Sequence, residues 1–372
     1  MDLGFDKPPG RVRPVVAMSG GVDSSATAAL LKQAGYGVAG VTMRLLPPNL
    51  EAGARACCGG AEAEDARRVA EHLGIPHHVV DCRGAFYEDV IRPFADTYAR
   101  GETPIPCVDC NRTVKFRDLL GLLDTLDADA LVTGHYARWH AGPGGPELHR
   151  GADSTRDQSY FLFATTRDQL ARLRFPLGDL DKATTRARAA ELALPVADKP
   201  ASQDICFVPD GDYAALVARL RPDAATPGPM VHVDGRVLGE HRGLVHYTVG
   251  QRRGLNVGGP GPRLYVVRLD PASNTLVVGP WEALLTDRIG LHGLNWLGES
   301  PPDSAGERVT IKLRSAHTPV PATLYPAAAP GRATVSPDDP QPAVAPGQAC
   351  VAYRETRVLG GGWIHKSETA NR

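Results

Sequence analysis

No stretch of this 372-residue sequence approaches the ~18 apolar residues that a membrane-crossing helix needs, which argues against a membrane role. The first residues, MDLGFDKPPGRV, lack the apolar centre of a secretory signal and the long Arg- and Ser-rich amphipathic stretch of a mitochondrial one. The cytoplasm is the expected compartment. An excess of either charge is also missing, with 41 Lys+Arg against 42 Asp+Glu and a net charge of −1. Nothing global attracts a polyanion, so a nucleic-acid partner would need a local basic face. Internal repeats are absent, and the one biased tract, the Pro/Ala-rich stretch 326–346, reads as long loops. Cysteine is sparse and odd in number, seven in all. That excludes a secreted disulfide scaffold and points to thiol chemistry or metal binding.

What is present is a change of rhythm along the chain. In the first half, short β-branched runs alternate with helical patterns. Val15 to Met18, Val38 to Met43, His77 to Val80 and Ala130 to Thr133 read as strands, and Val22 to Ala34, Glu62 to Leu73 and Phe116 to Leu126 as helices. That alternation predicts an α/β domain, a doubly wound parallel sheet covered on both faces. Ligands of such sheets sit at the carboxyl ends of the strands. Beyond about residue 210 short strands separated by Pro/Gly turns dominate, including Leu264 to Leu269, Val309 to Arg314, Ala322 to Tyr325 and Ala349 to Tyr353. The expected division is 1–214, a small central linking domain over 215–285, and a C-terminal β-barrel over 286–372.

The string Ser19-Gly20-Gly21-Val22-Asp23-Ser24-Ser25 lies between the first strand and the first helix. Two glycines allow backbone N–H groups close to phosphate, Ser19, Ser24 and Ser25 add hydroxyls, and the helix N-terminus adds partial positive charge. Asp23 would repel phosphate directly, so it is expected to meet it through Mg²⁺. No lysine follows the glycines, so the loop is not the usual P-loop. An ordinary capped Gly-Gly turn would explain a bare pair of glycines, but not the whole string in this setting. The string matches the pyrophosphate-binding loop of the N-type ATP pyrophosphatases, which include GMP, NAD and argininosuccinate synthetases and several tRNA-modifying enzymes. These cut ATP between the α and β phosphates and place AMP on a carbonyl or carboxylate oxygen.

Cys107 and Cys110 lie in Thr103-Pro104-Ile105-Pro106-Cys107-Val108-Asp109-Cys110-Asn111-Arg112, read as a proline-stiffened loop before a helix, and Cys206 lies in SQDICF. Thiols at a helix N-terminus gain thiolate character and suit nucleophilic or sulfur-transfer work. The blander readings are half of a structural zinc site for the CxxC, although no second half is visible, and a small buried hydrophobe for Cys206. Cys57-Cys58, Cys82 and Cys350 read as structural.

Together with Val41-Thr42-Met43, Thr133-Gly134-His135-Tyr136-Ala137, Asp157-Gln158-Ser159-Tyr160-Phe161-Leu162 and His246-Tyr247-Thr248-Val249-Gly250-Gln251-Arg252-Arg253-Gly254-Leu255, these strings resemble the tRNA-specific 2-thiouridylases, the MnmA family. The match spans nearly the whole chain, and the joint order of the strings is what makes it specific. The resemblance implies an adenine-nucleotide-hydrolase-like (HUP) first domain that uses ATP and Mg²⁺. It assigns Ala17, Met18, Ser19, Gly20, Gly21, Val22, Asp23, Ser24, Met43 and Gly134 to ATP. It makes Cys206 the carrier of a persulfide and Cys110 the partner thiol and nucleophile, with a Cys110–Cys206 disulfide left after turnover. Contacts to tRNA would map to Ile105, Pro106, Cys107, His135, Arg156, Asp157, Gln158, Arg314, Ser315 and Gln348. The implied partners are the tRNAs for Glu, Gln and Lys and a cysteine desulfurase or sulfur-relay protein as donor.

One position departs from the family. Many members carry Asp, the expected acid/base, where this chain has Cys107. In one reading Cys107 is a bystander and Asp109 or water moves the proton. In the other, second in preference, Cys107, Cys110 and Cys206 hold an iron–sulfur cluster with one open iron for hydrosulfide. An amidotransferase-type synthetase is the first rival, but no glutaminase cysteine is visible. A non-catalytic tRNA-binding protein with a degenerate nucleotide site is the second, and the intact loop and cysteines argue against it.

Overall fold

The computed structural model describes residues 1–47, 60–200, 205–208, 211–257 and 262–369. Cys57 and Cys58 therefore lie outside the described residues. By contacts the chain divides into two compact units. One comprises Met1–Ile91, Cys107–Gly211 and Thr356–Val358, the other Arg92–Pro106, Asp212–Glu355 and Leu359–Arg372.

The first unit is built on five parallel strands in the order β3-β2-β1-β4-β7: β1 (Pro14–Ala17), β2 (Ala39–Arg44), β3 (His77–Asp81), β4 (Ala130–Val132) and β7 (Leu173–Arg174). The expected doubly wound sheet is thus present. Between β1 and β2 runs α1 (Val22–Gln33), and before β3 runs α2 (Gly60–Leu73). Helix α2 is held on its wet side by Glu64–Arg67 and Arg67–Glu71 pairs and buries Ala63, Ala66, Val69 and Ala70. A short α3 (Arg83–Phe86) follows β3.

The sheet core gathers Val12, Val16, Met18, Leu31, Ala66, Val69 and Val132. On another side of α1, Val22, Ala26 and Ala29 pack with Ala189 of α8 (Lys182–Glu191) and with Leu194. Small alanines on both helices let the two backbones approach closely. The hairpin β5 (Ala137–Gly142) and β6 (Gly145–Arg150) completes the unit, with Arg357 pairing to His149. The β-α-β reading of the sequence had no place for this hairpin.

Helix α4 (Arg92–Ala99) belongs to the second unit, where Tyr98 stacks on Tyr213 of α9 (Tyr213–Leu220) at 5.0 Å. Its central sheet has the order β10-β11-β8-β9, from β8 (Gly228–His232), β9 (Val237–His241), β10 (Tyr265–Asp270) and β11 (Thr275–Gly279). The strands that follow are β12 (Leu285–Trp296), β13 (Glu307–Lys312), β14 (Val320–Pro326), β15 (Arg332–Pro337), β16 (Gln341–Pro342), β17 (Ala349–Arg354) and β18 (Arg357–Thr369). β12 pairs with β15 on one side and with β18 on the other, which closes the strands into a barrel around Ile289, Val309, Leu324, Val335, Ala352 and Ile364. The tract 326–346 is not the plain loop expected. β15 lies inside it, and Ala333, Val335 and Pro337 alternate inward, a period-2 signal hidden by the proline and alanine composition. Among the described residues no helix is long and apolar enough to cross a membrane.

Candidate active site

The residues assigned to ATP gather at the carboxyl ends of β1, β2 and β4. Ala17 ends β1 opposite Val41, Met43 lies near the end of β2, and Gly134 follows β4. Met18 donates its N–H to Val41 O at 2.8 Å, and Thr42 Oγ1 donates to Met18 O at 2.8 Å, so the chain leaves the sheet in a fixed direction. The loop then closes on itself. Ser19 N donates to Ser24 Oγ at 3.1 Å, and Ser24 and Ser25 hydroxyls donate back to Gly21 O at 3.2 and 2.8 Å.

Gly20 has φ +68°, and a Cβ there would lie 2.2 Å from Glu62 O. A Cβ at Gly134 would lie 2.9 Å from the backbone of Asp23. Both sites therefore require glycine. The N-cap of α1 is Gly21, which offers no capping side chain, so the first-turn amides stay open for an anion.

Among the described residues two lysines from outside the motif reach this loop, and sequence reading gave a role to neither. Lys182, the first residue of α8, places Nζ 2.6 and 2.8 Å from the two carboxylate oxygens of Asp23. Tyr136 OH donates to the same carboxylate at 2.9 Å. Lys199 donates to Gly20 O at 3.2 Å and to Asp65 at 2.7 Å. Asp23, Ser19 and Ser24 remain hard oxygen donors of the kind that Mg²⁺ takes, although here the Asp23 carboxylate is occupied by Lys182 and Tyr136.

The cysteine segment is helical earlier than the sequence suggested. α5 (Pro106–Asp109) runs directly into a π-helical stretch, Cys110–Asp118, and then α6 (Leu119–Leu122), so both cysteines lie in the helix rather than in a loop before it. Pro106 at the first helical position, with φ preset, explains why a proline-rich string starts a helix. Cys107 is exposed and Cys110 buried, while Cys206 is half-buried in a turn. Phe207 anchors that turn against Phe86 at 5.6 Å. Asn111 donates to Phe161 O at 3.2 Å and leaves its own Oδ1 buried without a hydrogen-bond partner. Burial pushes the Asp109 carboxyl up to about 6, against the pull of Arg112 at 3.5 Å. Cys82 and Cys350 are buried, their thiols pushed up to about 11 and about 12 by desolvation, as inert packing thiols should be. Among the described residues no three His, Cys, Asp or Glu side chains are grouped to hold a metal.

The residues assigned to tRNA differ in what they present. Arg156 is exposed on a turn, but the Asp157 side chain is only 1% exposed and accepts from Arg150 Nε, Gly151 N and Ser159 N. Gln158 accepts from Tyr136 N at 2.9 Å. These two shape the loop more than they face solvent. His135 is half-buried, with Nδ1 2.7 Å from Thr133 Oγ1, and burial and the Lys115 charge pull it down to about 3, so it is neutral at pH 7. In the second unit Ile105 and Pro106 are buried, Arg314 and Ser315 are exposed after β13, and Gln348 Nε2 donates to Thr103 O at 3.1 Å.

A family described as the tRNA methyl transferase HUP domain matches residues 12–210, its PRC-barrel domain 216–280, and an aminomethyltransferase beta-barrel domain 286–364. The tRNA-specific 2-thiouridylase MnmA of Rhodospirillum centenum is 57% identical over 376 residues, covering 99% of this chain and 95% of its own. That of Rhodospirillum rubrum is 58% identical over 368 residues, covering 97% and 98%. The NMN synthetase of Francisella tularensis aligns at TM-score 0.33 and 14% identity over 57% of this chain and 78% of its own, too low to carry weight. With 57% and 58% identity over 99% and 97% of its length to these two relatives, and family models matching its three successive segments, the chain belongs to the MnmA family of tRNA-specific 2-thiouridylases.

Proposed function

We propose that the protein replaces the 2-oxygen of the wobble uridine of tRNA with sulfur, at the cost of ATP cleaved to AMP and pyrophosphate. What carries the reading is that Cys110 and Cys206 share a unit with the complete glycine loop, in a chain 57% identical over 99% of its length to a 2-thiouridylase. The carbonyl of uracil is a poor electrophile, and adenylation turns its oxygen into a good leaving group. The uridine must leave its stack to expose carbon 2.

The 2-oxygen attacks the α-phosphorus and pyrophosphate departs with the electron pair, while the N3 proton passes to Asp109 or water. Mg²⁺, held by Asp23 and the loop hydroxyls, would supply charge neutralisation on the phosphates. The outer sulfur of a Cys206 persulfide then attacks carbon 2 and expels AMP. Cys110 thiolate attacks the Cys206 sulfur, the S–S bond breaks towards the uracil, and 2-thiouridine leaves beside a Cys110–Cys206 disulfide. Alternatively Cys110 frees hydrosulfide from the persulfide, and that attacks carbon 2. A dithiol reductant and a persulfide donor, a cysteine desulfurase or a relay protein, restore the enzyme.

The persulfide route is preferred over an iron–sulfur cluster held by Cys107, Cys110 and Cys206, and anaerobically purified protein carrying stoichiometric iron that its activity needs would reverse that preference. The remaining assignments complete the proposal: the ATP and tRNA contacts named above, the tRNAs for Glu, Gln and Lys as substrates, domains at 1–214, 215–285 and 286–372, and a cytoplasmic location. The test is anaerobic thiolation of unmodified tRNA from a persulfide donor. Cys206→Ser and Cys110→Ser should each lose 2-thiouridine by at least ~100-fold while still releasing pyrophosphate in response to tRNA. Normal thiolation by Cys206→Ser overturns the persulfide, and pyrophosphate release indifferent to tRNA overturns the substrate.

A further inference from the structure

We propose that Lys182 is the phosphate-binding lysine of this site, held on Asp23 and passed to the β- and γ-phosphates when ATP binds. The inference rests on the loop being an ATP cradle. A triphosphate brings about four negative charges to a loop whose motif contains no lysine, and an acidic residue, Asp23, stands in the first turn of α1. Of the two lysines that reach the loop, Lys199 is engaged by Gly20 O, Asp65 and Glu62. Lys182 instead spends its contacts on Asp23 (2.6 and 2.8 Å), the group chemically suited to take the cation that ATP carries. Were Asp23 to hold that cation, the ammonium would be left without this partner beside the phosphates.

The placement is built into the fold. Lys182 is the first residue of α8, and Asp181 caps that helix on Thr184 N at 2.6 Å. α8 packs on α1 through Ala189, Ala26 and Ala29, so the two helices bring their N-terminal residues Lys182 and Asp23 together. The Lys182 side chain is only 15% exposed, and in such a setting a fixed cation acts strongly on developing charge. During adenylation the bond from the 2-oxygen to the α-phosphorus forms and the bond to the α–β bridging oxygen breaks. The electron pair stays on pyrophosphate, where Lys182 meets it.

The experiment compares Lys182→Gln, which can still donate a hydrogen bond to Asp23, with Lys182→Arg, which keeps the charge. Binding of a non-hydrolysable ATP analogue, without tRNA, should weaken about tenfold in Lys182→Gln, AMP binding should change less than about twofold, and Lys182→Arg should restore much of the loss. The kcat for AMP formation with tRNA should fall by ~100-fold. Wild-type analogue affinity and kcat in Lys182→Gln, or equal loss of analogue and AMP, overturn the proposal. A measurement free of any variant uses the wild-type chain carrying ¹³C-dimethylated lysines. The Lys182 signal should shift with the ATP analogue and not with AMP, and no shift with the analogue overturns the role. If the wild-type chain binds the analogue but fails to thiolate tRNA, the functional reading falls and the lysine assignment stands.

Discussion

At the residue scale, Gly20 and Asp109 make the most direct predictions. Gly20 combines φ +68° with a Cβ position 2.2 Å from Glu62 O. Gly20→Ala must therefore move the loop or α2, costing on the order of 1–3 kcal/mol of stability and raising KM for ATP. Unchanged melting and KM would show that the loop is not confined as described. Asp109 is raised from 3.8 to about 6 by burial. The folded chain therefore binds a proton that the unfolded chain has released between those values, and stability falls as pH rises through that window. Asp109→Asn should match the parent below about pH 4 and exceed it above pH 6 by on the order of 2 kcal/mol, read from denaturation at several pH values. If Asp109 also moves the uracil proton, an inflection near pH 6 in the thiolation rate should vanish in the same variant.

The string from Ser19 to Ser25 was legible in the sequence because its chemistry is contiguous. Lys182 was not, since 159 positions separate it from Asp23 and only helix packing joins them. The setting of Asp157 was equally hidden. Its motif is contiguous, but the backbone amides and Arg150 that hold its carboxylate are known only from the fold.

At the scale of elements, β1 and β4 were readable as short apolar runs buried on both faces, whereas β7 is only two residues long and leaves no pattern to read. The segment from Pro106 to Lys115 was not readable either, because its proline and cysteines look like loop chemistry while its helix takes π-helical form from Cys110 onward. β15 escaped notice because its inward alternation is written in alanine, valine and proline. Two helix caps provide a paired test of what the elements do. Thr166 caps α7 (Arg167–Ala171) in a capping box with Gln169, and Asp181 caps α8. Thr166→Ala and Asp181→Ala should each cost about 1 kcal/mol. Only Asp181→Ala frays the turn that carries Lys182, so it alone should weaken binding of the ATP analogue, by a few-fold. Equal effects of the two variants on nucleotide binding would remove the special standing of the α8 terminus.

For the whole molecule, a net charge of −1 leaves no long-range field to hold a polyanion, so tRNA affinity must come from a few local cations. Arg314 is a good candidate, exposed with Ser315 on the turn after β13 in the barrel. Binding should weaken linearly on a log–log plot against salt, because each phosphate neutralised releases counterions. Arg314→Ala should reduce the steepness of that line by about 1 and weaken all tRNAs alike, since a phosphate contact reads no sequence. Ser315→Ala, which removes no charge, should leave the slope where it was. An Arg314→Ala variant with an unchanged slope but altered preference among tRNAs would mean that Arg314 contacts a base, and the barrel would then select its substrate rather than merely hold it.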